Sequence, residues 1–300
     1  MLIARAREWA DARLALATVL ETWGSAPRPV GSHMLVDQDG RFEGSVSGGC
    51  VENDVLAAAL EAIADRRPRT LRFGIADDAA WRSGLPCGGE IAVLVQPIGE
   101  DGFSPALFDH VERMRRAGET ARLVTDPDTG ATRIATSEEA AGFVNAYPPP
   151  KRLLIVGAVQ IGQSLARIAS ELGFAVTVID PRGAYLTRER FPDAGHDDRW
   201  PDEAIAALEP DARTAIVTLS HDPKIDDPAL IAALATPASY VGALGSRKSQ
   251  AARLDRLRAA GLDEAKLERI DGPAGLPIGS RSPAEIALSI AAGMVAALKR

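Results

Sequence analysis

Residues 153–162 read LLIVGAVQIG, and this stretch decides the fold of the second half of the chain. Its first four residues are apolar and predict a buried strand. The glycine after them predicts a tight turn, and a helical pattern continues from there to Leu172. A second apolar run, Ala175–Ile179, ends in Asp180. Strand, glycine turn, helix, strand and acidic residue in this order predict a Rossmann-like, doubly wound parallel sheet.

The glycine pattern of this turn is incomplete. Gly157 and Gly162 hold the first and last positions of G-x-G-x-x-G, but Val159 holds the middle one. A β-branched side chain there obstructs the approach of a pyrophosphate to the backbone. Gly157, Gly162 and Asp180 therefore remain candidate cofactor-binding residues of an NAD(P)-dependent oxidoreductase. The alternative is that Asp180 only ends its strand in a turn before Pro181.

A glycine-containing loop further along predicts an anion site at the same sheet edge. Gly245, Ser246 and Arg247 follow a predicted strand, Ser239–Val241, and precede a predicted helix, Lys248–Ala260. Backbone N–H groups, a hydroxyl and a guanidinium at a helix N-terminus favour an anion. The alternative is a glycine turn with a serine cap and solvated basic side chains.

A histidine follows another predicted strand, Thr214–Leu219, on that edge. His221 has three aspartates within the next six residues and is a candidate for cofactor binding, metal binding or proton transfer. The spacing matches no established metal-ligand pattern. The alternative is that Asp226 or Asp227, ahead of Pro228, caps the next helix.

The proline-rich segment Tyr147–Pro150 marks the domain boundary. Upstream, residues 1–147 predict an α+β domain, and downstream, residues 151–300 predict the Rossmann-like domain. The predicted elements of the first domain are strands Leu14–Thr22, His33–Asp37, Arg41–Ser45, Thr70–Ile75 and Glu90–Pro97, helices Val51–Ala64 and Phe108–Ala117, and a final hairpin, Ala121–Thr125 with Ala131–Ala135.

The composition is that of an ordinary globular protein. Of 300 residues 46% are hydrophobic, and 34 Lys plus Arg against 41 Asp plus Glu give a formal net charge of −7. An acidic chain of this kind argues against a nucleic-acid partner. No apolar run approaches the roughly 18 residues of a membrane span. We expect a cytoplasmic protein whose two cysteines are free thiols.

Each cysteine adjoins a glycine pair. The sequences are Ser47-Gly48-Gly49-Cys50 and Pro86-Cys87-Gly88-Gly89, and paired glycines let the backbone approach a ligand closely. Cys50 directly precedes a predicted helix, whose N-terminus favours the thiolate, although Glu52 and Asp54 oppose this. Cys50 is the best candidate for a reactive thiol or a soft-metal ligand. The alternative for either cysteine is a small buried hydrophobic side chain.

The loop Thr22–Ser32 carries hydroxyls, Trp23 and Arg28, a set suited to an oxyanion or a flat ring. Its alternative role is a well-capped connection. The motifs G-x-x-x-x-G-K-[ST], G-x-S-x-G, H-E-x-x-H and C-x-x-C do not occur. Hydrolase and zinc-enzyme functions therefore have little support.

The chain resembles the XdhC/CoxI family, the accessory proteins of xanthine dehydrogenase and related molybdenum hydroxylases. The resemblance covers nearly the whole chain and rests on seven segments in the family's order: ETWGSAPRPVGS (21–32), SVSGGCVENDV (45–55), GLPCGGEI (84–91), LLIVGAVQIGQ (153–163), HDPKIDDPAL (221–230), YVGALGSRK (240–248) and GLPIGSRSPAEIALSI (275–290).

The resemblance implies a chaperone more than a catalyst. Such a protein binds the molybdenum cofactor (molybdopterin), protects it, presents it to a cysteine desulfurase for sulfuration and inserts it into the apo-dehydrogenase. Molybdenum with sulfur ligands is a soft centre, so we expect Cys50 to ligate it, with Cys87 as a second candidate. The phosphate would bind at Gly48-Gly49, Arg28 or the 245–247 loop. Gly88 and Gly89 complete this candidate set.

Two other functional classes remain open from the sequence. One is the NAD(P)-dependent oxidoreductase, and the other is a scaffold that contacts the dehydrogenase without holding cofactor. A homodimer is expected because small cytosolic α/β proteins commonly form twofold assemblies.

Overall fold

The computed structural model describes residues 2–24, 28–74, 89–100, 102–136 and 142–298. The chain divides into two compact units, Met1–Pro149 and Pro150–Arg300. Among the described residues, no helix combines the length and the apolar character needed to cross a bilayer.

The first unit contains an antiparallel sheet of five described strands around a long central one. The spatial order is β3-β2-β1-β5-β4. The first unit's elements are α1 (Leu2–Glu8), β1 (Leu14–Trp23), β2 (His33–Asp37), β3 (Phe42–Gly44), α2 (Glu52–Asp65), β4 (Arg69–Phe73), β5 (Glu90–Pro97), α3 (Ala106–Arg116), β6 (Ala121–Thr125), β7 (Thr132–Ile134) and β8 (Phe143–Tyr147).

Helix α2 covers one face of this sheet. Its inward residues, such as Val55, Ala59 and Ile63, pack against alternate strand residues, such as Ala17 and Val93. The period of 3.6 in the helix and of 2 in the strands places both apolar sets at one interface. Burial of these side chains stabilises the layer at about 25 cal/mol per Å² of apolar surface.

A second, three-stranded antiparallel sheet has the order β7-β6-β8. The predicted hairpin of β6 and β7 is confirmed, but it does not finish the unit, because β8 pairs with the other edge of β6. Strand β8 also reaches β2: the Tyr147 hydroxyl and the ring nitrogen Nε2 of His33 lie 2.9 Å apart, and the Asn145 amide donates to the Gly31 carbonyl at 3.2 Å.

The second unit is built on a parallel sheet of six described strands, in the order β11-β10-β9-β12-β13-β14. Counted along this unit alone, the order is 3-2-1-4-5-6, the Rossmann arrangement. Its elements are β9 (Arg152–Val156), α4 (Gln160–Glu171), β10 (Ala175–Ile179), β11 (Gly195–Asp197), α5 (Pro201–Leu208), β12 (Thr214–Thr218), α6 (Pro223–Leu234), β13 (Tyr240–Ala243), α7 (Arg247–Ala259), α8 (Glu264–Leu267), β14 (Ile270–Asp271) and α9 (Pro283–Ala297).

Helices cover both faces of this sheet. Leu153 and Ile155 of β9 face α4 and α9, whereas Leu154 and Val156 face α5, α6 and α7. A central parallel strand is buried on both sides, so it reads as a continuous apolar run instead of an alternating one. The predicted fold class, an α+β unit followed by a Rossmann-like doubly wound sheet, is confirmed. The short elements α1, α5, α8, β11 and β14 were not predicted.

Candidate functional site

The loop before α2 closes around a carboxylate of its own chain. Glu52, the first residue of α2, accepts the Ser45 hydroxyl at 2.6 Å and the backbone N–H groups of Ser47 at 2.9 Å and of Gly49 at 2.8 Å. The N–H of Gly48 donates to the same carboxylate at 3.1 Å. Partial burial acts to raise the pKa of Glu52, but these hydrogen bonds lower it to about 2. The carboxylate is therefore a fixed negative charge.

Ser47 joins this loop to the helix. It is fully buried, and its Oγ accepts the N–H groups of Cys50 at 2.9 Å and Val51 at 3.0 Å while donating to Glu52. These bonds fix the turn directly before α2, whose N-cap residue, Val51, has no side-chain cap. Gly48 and Gly49 have φ values of +83° and +116°, a region where a side chain is strained.

Cys50 is a free, half-buried thiol at the start of α2. Part of its side chain packs against the core beneath α2, and the rest faces outward. Gly89 is buried directly before β5. The other two predicted residues of that motif, Cys87 and Gly88, lie outside the described residues.

Arg28 lies beside the same loop. Its Nε donates to the Ser45 carbonyl at 3.3 Å, and the residue is exposed. At the other end of α2, Arg66 reaches the carbonyl of Ile98, just past the end of β5. Helix α2 therefore begins near the other end of the sheet, where β1 finishes and β5 begins. The fold brings Arg28, the glycine pair and Cys50 together there.

The role of the Gly48 and Gly49 N–H groups was predicted as phosphate binding, and in this structure they donate to Glu52. A phosphate bound by them would have to displace that carboxylate. From the sequence, Glu52 was expected only to oppose the thiolate by its charge. An acidic residue in the first helical turn, after a serine- and glycine-rich loop, was the available signal for this closure.

A cleft of about 210 Å³ opens at this end of the sheet, on the face away from α2. A β-bulge between Val19 and Glu21 changes the register of β1, so that Glu21 lies opposite Ala92 and Trp23 opposite Glu90. Bulges re-aim side chains in this way. Trp23 is 61% exposed, and Arg72 of β4 reaches over Ala92 to pair with Glu21 at 3.2 Å.

The sequence predicted a ring-binding role for the loop containing Trp23, but it missed Glu21, Arg72 and Glu90 as its neighbours. These residues come from three strands, and no local motif links them. The Glu90 side chain makes no hydrogen bond with any residue that the structure describes, while its backbone pairs with Trp23 in the sheet. Its carboxylate is an available acceptor in the cleft.

In the second unit, the two predicted glycines have packing roles. Gly157 has a φ of +106°, and a Cβ on it would lie 2.8 Å from the backbone nitrogen of Ser220. A Cβ on Gly162 would lie 3.1 Å from the Gly157 carbonyl oxygen. Both glycines let α4 and the loop after β12 approach the turn. Val159 between them is extended and precedes α4 without a side-chain cap.

Asp180 is fully buried at the end of β10, and both of its oxygens are engaged. Oδ2 accepts the Ala158 N–H at 2.7 Å, and Arg182 forms a bidentate pair with distances of 2.9 and 2.8 Å. Burial acts to raise the pKa of Asp180, and the bonds from Arg182 and Ala158 outweigh it, so the pKa lies below its usual value. A ribose hydroxyl would have to compete with Arg182 for this carboxylate.

His221 follows β12 with a φ of +62°, and it is exposed. The backbone N–H of His221 donates to the Asp226 carboxylate at 3.1 Å, and the Ser220 hydroxyl donates to the same carboxylate at 2.7 Å. Burial raises the pKa of Asp226. The interpretation of Asp226 or Asp227 as a helix cap is wrong: Asp222 caps α6 by accepting the Lys224 N–H at 2.9 Å.

Ser246 caps α7 in a reciprocal arrangement with Ser249. Its Oγ accepts the Ser249 N–H at 3.1 Å, and the Ser249 hydroxyl lies 2.6 Å from the Ser246 nitrogen. A Cβ on Gly245 would meet that hydroxyl at 2.6 Å. Arg247 is exposed at the start of the helix. The local geometry is that of a serine-capped turn, and an anion role for these three residues stays a prediction.

Within the described part of the chain, no group of three or more His, Cys, Asp or Glu side chains is arranged to hold a metal ion. A metal-binding role for Cys50 would therefore depend on a ligand that brings its own donor atoms, as a dithiolene does.

Comparison with known proteins covers both units. The model of the XdhC and CoxI family matches residues 9–74, and that of the XdhC Rossmann domain matches residues 153–294. The chain is 31% identical over 283 residues to the molybdenum cofactor insertion chaperone PaoD of Escherichia coli (strain K12), a match that covers 92% of this chain and 81% of PaoD.

Two further similarities extend over almost the full length. The chain is 28% identical to a probable xanthine dehydrogenase component of Bacillus subtilis (strain 168), covering 95% of this chain and 93% of that protein. A crystal structure described as a xanthine dehydrogenase from Bacillus halodurans superposes with a TM-score of 0.84 at 25% identity, covering 99% of this chain and 95% of that one. The chain therefore belongs to the XdhC and CoxI family.

Proposed function

We propose that this protein binds the molybdenum cofactor and inserts it into a molybdenum hydroxylase of the xanthine dehydrogenase type. The observation that carries the proposal is the 31% identity, over 92% of the chain, to a molybdenum cofactor insertion chaperone. Relatives are also named as xanthine dehydrogenase. With two cysteines, this chain cannot by itself supply the four thiolates of a [2Fe–2S] cluster, which favours an accessory role over electron transfer.

Cys50 is the residue that we propose to contact the molybdenum. Its thiol is half-exposed, at the end of the sheet, and thiolate sulfur suits a soft metal centre. Arg28 contacts the same loop at the Ser45 carbonyl and offers an exposed guanidinium to the cofactor's phosphate. Because Glu52 holds the Gly48 and Gly49 N–H groups, Arg28 supports phosphate binding in the closed loop better than they do.

The finer steps of the proposal are the protection of the cofactor, its sulfuration by a cysteine desulfurase, and a cytoplasmic homodimer. Cys87 is the second thiol that could contact the metal or carry sulfur. The family and the two thiols support sulfuration, which persulfide analysis of both cysteines and pull-down of the desulfurase would test. Sedimentation of the purified protein tests the homodimer.

An NAD(P)-dependent oxidoreductase is the alternative function, and the structure offers it little support. Asp180, the residue that would bind ribose, is paired with Arg182, and Val159 stands where a glycine would admit the pyrophosphate. Titration of the protein with NAD and NADP in a calorimeter tests it directly. Binding with a dissociation constant in the micromolar range would reinstate this alternative.

The decisive experiment is the molybdenum and pterin content of the protein purified without oxygen from cells that make the cofactor. We expect near-stoichiometric cofactor in the wild type and its loss in Cys50→Ala, with Cys50→Ser as the isosteric comparison. Circular dichroism and thermal unfolding of each variant show whether it is folded. Cofactor in all three proteins would move the metal site away from Cys50, and cofactor in none would refute the proposed function.

A further inference from the structure

The cleft at the end of the first sheet has a floor without bulky side chains and walls of contrasting chemistry. Ala92 and Gly74 form the floor, and Trp23, Arg72 and Glu90 are among the walls. The indole is 61% exposed at the end of β1. An exposed indole above a floor of small residues leaves room for a flat group to stack on it.

The strand register places the cleft's polar groups on one face. Glu21 and Arg72 both lie opposite Ala92, and Glu90 lies opposite Trp23. These residues point away from α2, because Ile91 and Val93 between and beyond them point into the core beneath α2. The ion pair of Arg72 with Glu21 holds the guanidinium over the floor, with 70% of its side chain exposed.

Glu90 is held close to the floor. A Cβ on Gly74 would lie 2.9 Å from Cγ of Glu90, so the Glu90 side chain lies directly against the backbone of residue 74. No described residue donates a hydrogen bond to its carboxylate. The Glu90 carboxylate and the exposed Arg72 guanidinium line the same cleft, which therefore offers acceptors and a donor.

We propose that this cleft binds the 2-amino-4-oxopyrimidine edge of a bicyclic heteroaromatic ring, with the ring stacked on Trp23. That edge presents two N–H donors and a carbonyl acceptor, which the Glu90 carboxylate and the Arg72 guanidinium would complement. Glu21 is already paired with Arg72, so a cation would gain only Glu90, whereas the neutral edge uses both Glu90 and Arg72. Pterins and guanine share this edge.

The choice of a pterin, and not guanine, as the physiological ligand rests on the proposed function. The ring of the cofactor would then be recognised in this cleft, and its metal at Cys50. Both sites lie at the end of the sheet where β1 finishes and β5 begins, on opposite faces. The cleft adds a specific contact to a site that otherwise consists of one thiol and one arginine.

The test uses four soluble probes and the full-length protein. By ligand-observed NMR or calorimetry, we expect 6-hydroxymethylpterin to bind, and lumazine, in which a carbonyl replaces the 2-amino group, to bind at least about tenfold more weakly. Guanosine tests whether the cleft prefers guanine, the other ring that carries this edge, to a pterin. Tighter binding of guanosine than of the pterin would overturn the assignment to a pterin. It would also be overturned if arginine methyl ester, a cation, displaced the bound pterin at a lower concentration than lumazine does.

Variants locate the contact. We expect Glu90→Gln and Trp23→Ala to lose about tenfold or more in pterin affinity, and Trp23→Phe to lose less because it keeps a stacking ring. Glu119→Gln, an exposed carboxylate outside the cleft, is the matched control and should bind as the wild type does. Unchanged pterin affinity in Glu90→Gln would overturn the inference.

The cofactor content of the same preparations separates this inference from the proposed function. A Glu90→Gln protein that carries wild-type amounts of pterin and molybdenum would leave the function standing and remove the cleft's role. A wild-type protein without cofactor would refute the function, and the pterin titration would still decide what the cleft binds.

Discussion

Replacing Glu52 by glutamine should destabilise the first unit by about 1–2 kcal/mol at pH 7. The native loop lowers the pKa of Glu52 from 4.5 to about 2. At about 1.4 kcal/mol for each tenfold change in proton affinity, this is about 3 kcal/mol of preference for the charged form. The carboxylate is partly exposed, so solvent screening reduces the usable part by about half.

The pH dependence has a definite sign. A carboxyl whose pKa is lower in the folded state stabilises the protein above its unfolded pKa, here about 4.5. This stabilisation declines as the pH falls through the folded value near 2. Glutamine cannot ionise, so the stabilities of wild type and Glu52→Gln should differ most at neutral pH and converge as the pH falls below about 4.5.

The assay is urea unfolding of both proteins at pH 7 and at pH 3.5, with thermal unfolding as a second measure. At pH 7 a loss of about 1–2 kcal/mol in unfolding free energy lowers the midpoint of thermal unfolding by a few degrees for a unit of this size. Glu61→Gln, at an exposed position of the same helix, is the control and should change stability by less than about 0.5 kcal/mol. Equal losses in both variants, or a difference that does not depend on pH, would refute the reasoning.

Three other changes test the fold that positions the candidate residues. Asp180→Asn should lower the free energy of unfolding, measured in urea, by about 2–4 kcal/mol, because Arg182 loses the charge of its buried partner. A decrease of less than about 1 kcal/mol would show that the ion pair is not needed. Gly157→Ala should lower the free energy of unfolding by about 1–3 kcal/mol, since the φ of residue 157 is +106° and the new Cβ would lie 2.8 Å from the backbone nitrogen of Ser220. Wild-type stability of this variant would show that the turn adapts. Burial lowers the pKa of His33 to about 4. The wild type should therefore lose about 1–2 kcal/mol of unfolding free energy as the pH falls from about 6.5 to about 4, and His33→Gln should not show this loss. Parallel curves of stability against pH would exclude His33 as the cause.

The fold of the second unit could be predicted because its signals are local. An apolar strand, a glycine turn and an amphipathic helix each extend over a few residues, and right-handed crossovers then fix how consecutive strands pack. These rules predict a doubly wound parallel sheet, and the structure shows which order, 3-2-1-4-5-6, the sheet adopts. The alternation of Leu153 and Ile155 with Leu154 and Val156 between two helical layers is what makes the strand apolar throughout.

Strand β8 was missed for a physical reason. Its sequence, FVNAY, has a polar residue in the middle, and each of its residues is half-buried or exposed. The strand is stabilised by pairing with β6 and by contacts of Asn145 and Tyr147 with the segment around His33, more than 100 residues earlier. Non-local pairing of this kind leaves no period in the sequence.

The cleft could not be predicted from the sequence, because it depends on one extra residue in β1. Strict alternation after Val19 would send Glu21 and Trp23 to the same face as Val19, beneath α2. The bulge places Glu21 opposite Ala92 instead, and both side chains point to the other face. A register shift of one residue therefore decides whether the indole is core or exposed.

The residues that the sequence motifs single out most clearly are those that the protein satisfies within itself. The glycine-rich loop before α2 donates to Glu52, the fingerprint aspartate Asp180 pairs with Arg182, and Ser246 caps its own helix. Groups with internal partners are available to a ligand only at the cost of those bonds. Groups of the first unit that keep bonding capacity are the Cys50 thiol, the exposed guanidinium of Arg28, and the Trp23 and Glu90 side chains of the cleft. In the second unit, His221 and Arg247 are exposed as well. Both contacts that we propose for the cofactor, the metal at Cys50 and the ring at Trp23 and Glu90, therefore lie in the first unit.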